Sequence, residues 1–320
     1  MKPFVFGTSV QGALHIRSEM ECQDSWKTVV CNDGTVIMAV ADGHGSKNCP
    51  YSKTGSSIAV DVFCKVMSDY IERFADSLDL LLTYLNREGE TKVAQEIEFE
   101  WKRRVEIEHE ENKRDILINS KNEPDISLVY SQYGTTLLGL VLMQDFFFAF
   151  QIGDGDIVFT TQTVVEPVIQ GNKILGVETH SLSAKEAWKK AITVVRRINI
   201  EETFPSMFLM SSDGFANSYK NGDEFDKTCS EYLEMINQYG VEAVNENLET
   251  WLSETSALGC GDDITVLVAY FSPQKHADCS SDTEITIQEN ELLDTARHNS
   301  ESADHFQNID SQNEQDDGCK

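Results

Sequence analysis

The chain has 320 residues, enough for one large domain or two modest ones. Hydrophobic residues make up 40% of it and aromatic residues 9%, which excludes a wholly disordered or fibrous chain. The 54 acidic residues outnumber the 26 basic ones and give a net charge of -28. A chain this acidic repels phosphate backbones and anionic lipid heads, so we expect neither nucleic acid nor membrane as a partner.

The sequence predicts no signal peptide, membrane span or zinc site. The apolar stretch 3–6 is too short for a signal peptide, and no apolar run approaches the length that spans a bilayer. The eight cysteines include no Cys-x-x-Cys pair and no zinc-finger spacing with histidine. We therefore expect the reducing environment of the cytoplasm.

Short apolar runs and longer helical patterns divide the first part of the chain. Runs rich in β-branched and aromatic residues predict buried strands, and the longer segments predict helices. In chain order the predicted elements are strand 35–41, helices 52–85 and 90–114, strands 135–142, 146–152, 156–160 and 207–210, helix 223–253 and strand 264–271. Because several neighbouring strands are joined by tight turns, the pattern favours antiparallel sheets with helices packed outside over a doubly wound parallel sheet.

Two segments differ from the rest in composition. Segment 90–114 is dense in Glu, Lys and Arg at spacings of three and four residues, which is typical of a solvated helix face. We interpret it as part of a charged helical insertion at about 86–130 rather than as a site. From 272 to 320 there are twelve acidic and three basic residues with few aliphatic ones, which predicts a disordered acidic tail, 273–320, after a folded domain, 1–272.

Five aspartates stand where an apolar run meets a polar or glycine-containing turn. They are Asp24, Asp42, Asp154, Asp213 and Asp262. Any single Asp-Gly turn is usually structural. Several carboxylates converging at strand ends, however, repel one another unless a cation neutralises them. The five together therefore indicate a metal site.

The ligand types select the metal. Oxygen ligands without clustered His or Cys favour magnesium, manganese or calcium over zinc. A calcium EF-hand fits poorly, because apolar residues follow Asp154-Gly155-Asp156 where that loop needs further oxygen ligands. Two divalent ions at such a site can activate a water and bind phosphoryl oxygens.

An ordered set of short motifs resembles the protein phosphatase 2C family of metal-dependent serine/threonine phosphatases, over roughly residues 5 to 271. In family order they are Cys22-Gln23-Asp24, Asp42-Gly43-His44-Gly45, Gly134-Thr135-Thr136, Ile152-Gly153-Asp154, Ser212-Asp213-Gly214 and Asp262-Asp263-Ile264-Thr265. The resemblance implies two packed antiparallel β-sheets flanked by helices, an α+β fold arranged as an α-β-β-α sandwich. The resemblance also implies that the folded domain is a catalytic domain that dephosphorylates phosphoserine and phosphothreonine proteins, and that a kinase is a candidate partner.

The resemblance also implies a binuclear Mn²⁺ or Mg²⁺ centre. Asp42 is expected to bridge both ions, and Asp24 to act directly or through water. The Gly43 carbonyl is expected to complete the coordination of one ion, and Asp213 and Asp262 to hold the other. In the family a metal-bound water attacks phosphorus in line, without a phosphoenzyme.

His44 takes the position that the family uses as the general acid toward the seryl or threonyl oxygen. A histidine is suited to that role because its pKa normally lies near neutrality. Its alternative interpretation is a turn histidine between two glycines.

The chain departs from the family pattern at three positions. Gln23 replaces a glutamate of the eukaryotic pattern, and Glu19 stands where an arginine binds phosphate. Because the Cys-Gln-Asp variant resembles a largely bacterial branch with a histidine nearby, His15 or Arg17 is a candidate phosphate-binding residue. The family's third, weaker metal site uses acids matching Asp154 and Asp213 and a further aspartate.

That further aspartate is Asn217 here, so a third ion is expected to bind weakly.

The sequence is compared with two other functions. A haloacid-dehalogenase-like phosphatase is disfavoured because in that family the last acid pair follows its strand. In this chain the strand 264–271 comes after Asp262 and Asp263. A pseudophosphatase that binds or scaffolds phosphoproteins remains the alternative, motivated by the missing arginine and third-site acid.

Overall fold

The structure, a computed structural model, describes residues 2–170 and 179–272, so the predicted tail lies outside the described residues. Its strands are β1 (Phe4–Val10), β2 (Ser25–Val30), β3 (Val36–Ala41), β4 (Leu137–Leu142), β5 (Phe146–Ile152), β6 (Asp156–Thr161), β7 (Val165–Pro167), β8 (Ile192–Arg197), β9 (Ser206–Ser211) and β10 (Ile264–Phe271). Its α-helices are α1 (Ala13–Arg17), α2 (Ser52–Arg73), α3 (Leu78–Glu88), α4 (Ala94–Glu111), α5 (Ile126–Ser131), α6 (Asp213–Ala216), α7 (Gly222–Tyr239) and α8 (Val241–Leu258).

The strands form two five-stranded antiparallel sheets. One has the strand order β1-β10-β9-β6-β7 and the other β2-β3-β4-β5-β8, and we name them sheet A and sheet B. Every strand pair in both sheets is antiparallel. The predicted fold class, two antiparallel sheets flanked by helices, is therefore confirmed.

The sequence of β3 shows why the sheets pack on both faces. All six of its residues are buried, and successive side chains point to opposite faces of the sheet. Ile37 and Ala39 pack in a cluster with helices α2, α3 and α4. Met38 and Val40 pack in the cluster between the sheets, where they meet residues of sheet A. A third apolar cluster covers the outer face of sheet A with α7 and α8, so the molecule has four layers.

The sequence analysis missed four strands, and they are the four sheet edges. β1 and β7 border sheet A, and β2 and β8 border sheet B. All four are half-exposed along much of their length. An edge strand need not bury both faces, so it lacks the continuous apolar run that marks a central strand.

Two of the predicted helices are each divided in two. Segment 52–85 breaks after Arg73, and the next helix begins where the Ser77 side chain accepts a hydrogen bond from the Leu80 amide. Segment 223–253 breaks at Gly240, whose φ of 90° favours glycine. The apolar periodicity continues through both breaks, so it did not reveal them.

Helix α4 belongs to the core as well as to the surface. Of the predicted charge pairs, Arg103 with Glu100 lies on its exposed side, whereas Glu98 is buried and pairs with Lys102. On the opposite side Trp101 is completely buried, and its indole N–H donates to the carbonyl of Gly55 in α2 at 2.9 Å. The charged segment therefore packs one apolar face against α2.

The described residues contain no helix that is long and apolar enough to cross a membrane. The six cysteines among them are free thiols.

Candidate metal centre

Four of the five predicted acids leave the sheets at the same end of the sandwich. Ser25 at the start of β2 pairs with Ala41 at the end of β3, which places Asp24 and Asp42 side by side in sequence register. In sheet A, β9 ends and β10 begins at neighbouring positions, so Asp213 and Asp262 also lie close together. Antiparallel pairing is the reason that residues before one strand meet residues after its neighbour.

Asp24 joins the two sheets. It is only 3% exposed, and its Oδ2 accepts hydrogen bonds from Ser212 Oγ and Thr265 Oγ1, each at 2.7 Å. Burial raises the pKa of Asp24 to about 7, the two hydroxyls oppose this rise, and the charges of neighbouring acids add to it. Its Oδ1 is buried and has no hydrogen-bond partner among the described residues. A buried carboxylate oxygen of this kind is suited to a cation.

Hydrogen bonds from its backbone to two threonines hold Asp42 in place. Its N–H donates to Thr136 Oγ1 at 3.0 Å, and its carbonyl accepts from the Thr136 amide and the Thr135 hydroxyl, both at 2.9 Å. The motif Gly134-Thr135-Thr136 therefore fastens the backbone of Asp42.

The carboxyl of Asp42 lies among the other acids. Burial raises its pKa well above the usual value, and the charges of Asp24, Asp213 and Asp262 raise it further. A hydrogen bond between the Asp42 and Asp213 carboxyls acts in the same direction. Such a bond requires one of the two groups to be protonated, which is how carboxyls this close coexist without a cation.

Asp213 and Asp262 approach each other because α6 begins against the loop before β10. A Cβ on Gly214 would lie 2.1 Å from the Asp263 carbonyl oxygen and 3.3 Å from the Asp262 Cβ, so only glycine allows this contact. The Asp262 side chain is 48% exposed, and its Oδ1 accepts from the amide of Asp263 at 2.8 Å.

The donor set fits a hard divalent cation. Four carboxylates converge, and one of their oxygens is buried without a hydrogen-bond partner among the described residues. Burial and the charges of the other three acids raise the pKa of Asp42. Oxygen donors in this number match manganese or magnesium. Gly43, which follows Asp42, is buried, and a Cβ there would lie 2.8 Å from the Ser52 carbonyl oxygen. The backbone at Gly43 is therefore packed tightly beside the acids.

His44 lies at the edge of this cluster. Its amide donates to the Gly134 carbonyl at 3.1 Å, next to a bridge between Gly43 and Thr135. A Cβ on Gly134 would lie 2.7 Å from His44 Cδ2. The segment 134–136, which fastens Asp42, thus also supports the backbone and ring of His44.

His15 reaches the acids, whereas Arg17 does not. His15 Nδ1 lies 2.8 Å from Asp263 Oδ1, and Nε2 lies 3.5 Å from Asp262 Oδ1. These three side chains offer ligand atoms within 4.8 Å of one another. Arg17 is exposed on the same helix, and no hydrogen bond or ion pair within the described residues ties it to the acids. Glu19, at the family's arginine position, is exposed with a φ of 55°.

Two residues expected at a third ion, Asp154 and Asn217, each make a side-chain hydrogen bond. Asp154 lies in the loop between β5 and β6, where its Oδ2 accepts from Thr179 Oγ1 at 2.7 Å. Asn217 donates its side-chain amide to Asp213 Oδ2 at 2.9 Å. An amide donor thus occupies the place of the family's further carboxylate.

Asp263 is a residue of the site to which the sequence analysis gave no role. Its Oδ1 accepts from the Gly12 amide and its Oδ2 from the Gln23 amide, both at 2.7 Å. A buried carboxylate therefore joins β10 to the segments that carry His15 and Asp24. The only signal in the sequence was an Asp-Asp pair before an apolar strand.

The comparisons with known proteins extend this description. The sequence matches the family model of protein phosphatase 2C over residues 11–253, and no curated protein matches the chain. A bacterial serine phosphatase superposes with a TM-score of 0.56 at 12% identity, covering 85% of this chain and 99% of that one. Stp1 from Staphylococcus aureus superposes with a TM-score of 0.55 at 12% identity, covering 85% of this chain and 96% of that one.

A third structure is the catalytic domain of the serine/threonine phosphatase PstP, solved in complex with two manganese ions. It superposes with a TM-score of 0.51 at 16% identity, covering 84% of this chain and 98% of that one. At these identities the superpositions show a shared fold. The match to the family model spans most of the sequence and includes Asp24, Asp42 and Asp213, while Asp262 follows its last residue. It follows that this chain is a member of the protein phosphatase 2C family.

Proposed function

We propose that the chain is a metal-dependent protein serine/threonine phosphatase that hydrolyses phosphomonoesters at a binuclear Mn²⁺ or Mg²⁺ centre. The observation that carries this proposal is the convergence of Asp24, Asp42, Asp213 and Asp262, where burial and the charges of the other three acids raise the pKa of Asp42. A protein has no structural need for such a cluster, because repelling buried carboxylates destabilise the fold. The two manganese ions of the PstP structure support the same assignment.

The proposed ligands are Asp42, shared between two ions, with Asp24 and the Gly43 carbonyl on one side and Asp213 and Asp262 on the other. Bound divalent ions at such a site supply an activated water and neutralise phosphoryl oxygens. Asp154 is proposed as a ligand of a third ion. Asn217 donates a hydrogen bond to Asp213, so we expect this third ion to bind weakly.

His15 is the proposed phosphate anchor in place of the family's arginine. Its ring lies beside Asp262, and when protonated it is a cation that can donate a hydrogen bond to a phosphoryl oxygen. Arg17 is the weaker candidate because its side chain is exposed and no hydrogen bond or ion pair among the described residues links it to the acids. His44 is proposed to donate a proton to the leaving oxygen.

The proposed substrates are phosphoserine and phosphothreonine proteins, and a kinase partner and cytoplasmic location remain predictions. The pseudophosphatase alternative is not favoured. It was motivated by residues absent from the family pattern, but the clustered acids and the orphaned Asp24 Oδ1 are features of a working cation site.

Removing the metal tests the proposal most directly. We expect the full-length protein to hydrolyse p-nitrophenyl phosphate and a phosphothreonine peptide in Mn²⁺, and EDTA to abolish both activities because the attacking water is then not activated. Phosphate release measured before EDTA, after EDTA and after added Mn²⁺ checks this. Activity that persists unchanged in excess EDTA would show the proposed mechanism to be wrong.

His44→Ala tests the general acid. A good leaving group such as p-nitrophenolate departs without a proton, whereas a serine or threonine alkoxide needs one. We expect the variant to lose roughly 100-fold in kcat on a phosphothreonine peptide and much less on p-nitrophenyl phosphate. Steady-state kinetics on the two substrates make the comparison, and equal losses on both would remove the proton-donor role.

A further inference from the structure

We name residues 42–46, which follow β3 and carry Asp42 and His44, the catalytic loop. A buried tyrosine next to this loop makes more polar contacts than packing requires. Tyr133 is completely buried. Its hydroxyl accepts a hydrogen bond from the guanidinium of Arg114 and lies 3.2 Å from His109 Nδ1. Phenylalanine would fill the same space without the cost of burying a hydroxyl, so the two partners indicate that the position of this ring is specified.

The partners of Tyr133 are themselves held in place. His109 is buried near the end of α4, and its Nε2 lies 3.1 Å from the Asp115 carbonyl. The Arg114 guanidinium lies 3.8 Å from the centre of the Tyr51 ring and 3.5 Å from a carboxylate oxygen of Glu108. Cation–π contact and ion pairing together limit where this guanidinium can sit.

The segment that follows Tyr133 is the one that supports His44. Gly134, the next residue, accepts the His44 amide at 3.1 Å, and it leaves no room for a side chain against the His44 ring. On the other side of Tyr133, the Gln132 carbonyl accepts the amide of Tyr51 at 2.9 Å. Tyr133 is therefore the buried anchor between two backbone contacts to the segment 44–51.

We propose that Tyr133, held by Arg114 and His109, is a positioning residue for His44. The side-chain contacts fix the ring, the ring fixes the backbone at Gly134, and Gly134 fixes the amide of His44. The inference rests on the proposed function, because it concerns the residue assigned as proton donor. It gives helix α4 a role in catalysis, beyond the packing of its apolar face.

Tyr133→Phe tests the inference, with Tyr130→Phe as the matched control. Tyr130 lies in neighbouring α5, and its hydroxyl also contacts a charged partner of α4, Glu106, without a contact to the catalytic loop. With Mn²⁺ bound, we expect Tyr133→Phe to lower kcat on phenyl phosphate roughly tenfold, because a poor leaving group needs an aligned acid. On p-nitrophenyl phosphate the change should stay within about twofold, and Tyr130→Phe should alter neither rate.

Two further measurements identify the route of the effect. In a His44→Ala background, Tyr133→Phe should no longer change the phenyl phosphate rate, because the residue it positions is gone. Hydrogen exchange of the segment 42–46 in the metal-free protein should be several-fold faster in Tyr133→Phe than in wild type, and unchanged in Tyr130→Phe. If Tyr133→Phe fails to fold, Arg114→Gln removes the cation that holds the ring and makes the same comparisons.

The outcomes separate the two proposals. Equal losses on both esters, the same loss without His44, or unchanged hydrogen exchange at 42–46 would overturn the positioning role. Absence of any Mn²⁺-dependent hydrolysis by the wild type would instead refute the proposed phosphatase function. The exchange measurement would then still decide whether Tyr133 supports the backbone at His44.

Discussion

Asp42→Asn is expected to lower Mn²⁺-dependent hydrolysis of p-nitrophenyl phosphate by roughly 1,000-fold or more, since ion-based charge stabilisation is worth several kcal/mol. Asp42 is buried, and the charges of Asp24, Asp213 and Asp262 all act on its carboxyl. The amide keeps the shape of the side chain but removes the charge that two cations would share. Initial rates over a range of Mn²⁺ concentrations measure the loss.

The same variant should stabilise the metal-free protein. Replacing one of four repelling carboxylates removes like-charge repulsion, so the melting temperature in EDTA should rise while the stabilisation by Mn²⁺ is lost. Asp69→Asn is the matched control, because Asp69 pairs with Lys65 on the exposed side of α2. Retention of full activity, or a melting temperature that still rises with Mn²⁺ as in wild type, would contradict the assignment of Asp42.

The metal-free protein is expected to lose stability as the pH rises. Burial raises the pKa of Asp24 from 3.8 to about 7. Between these values the folded state holds more protons than the unfolded state, so the free energy of unfolding decreases with increasing pH. The pKa of Asp42 is raised as well and acts in the same direction. The contribution of these groups to the free energy of unfolding should be largest below about pH 4. It should fall by on the order of 3 kcal/mol between about pH 5 and about pH 8.

Urea unfolding in EDTA across this pH range measures the effect. Asp24→Asn should flatten the dependence, because an amide does not titrate over the range. Saturating Mn²⁺ should remove the fall or reverse it, since bound cations hold the carboxylates in their charged form and compete with protons. A metal-free wild type that becomes more stable with increasing pH over this range would show that the acids are not buried together.

The central strands could be predicted from the sequence, and the edge strands could not. The residues of β4, β5 and β10 are all buried, so each forms a continuous apolar run that is visible in one dimension. β2 and β8 contain Lys27, Arg196 and Arg197, because an edge strand can turn such side chains to solvent. Their membership of the sheet depends on neighbours that the local sequence does not contain.

The candidate site shows the same division. Each acid was visible because it interrupts or borders an apolar run. The choice between His15 and Arg17 was open, because both lie in the same short segment. In the structure His15 turns toward Asp262 and Asp263, and Arg17 turns to solvent. The two side chains project from different faces of α1, and the packing of this helix against a loop about 250 residues away determines which face meets the acids.

Antiparallel sheets with helices outside, the acids and the family resemblance could all be identified from the chain in one dimension, because apolar periodicity and strand-end motifs are local properties. The three-dimensional structure was needed to show that Thr265 donates a hydrogen bond to Asp24 across the sandwich, that Asp263 joins three segments, and that Gly134 beside Tyr133 accepts the amide of His44. Such contacts link residues far apart in the chain, and their geometry follows from how the sheets and helices pack. A sequence records which groups are present, and packing determines which of them meet.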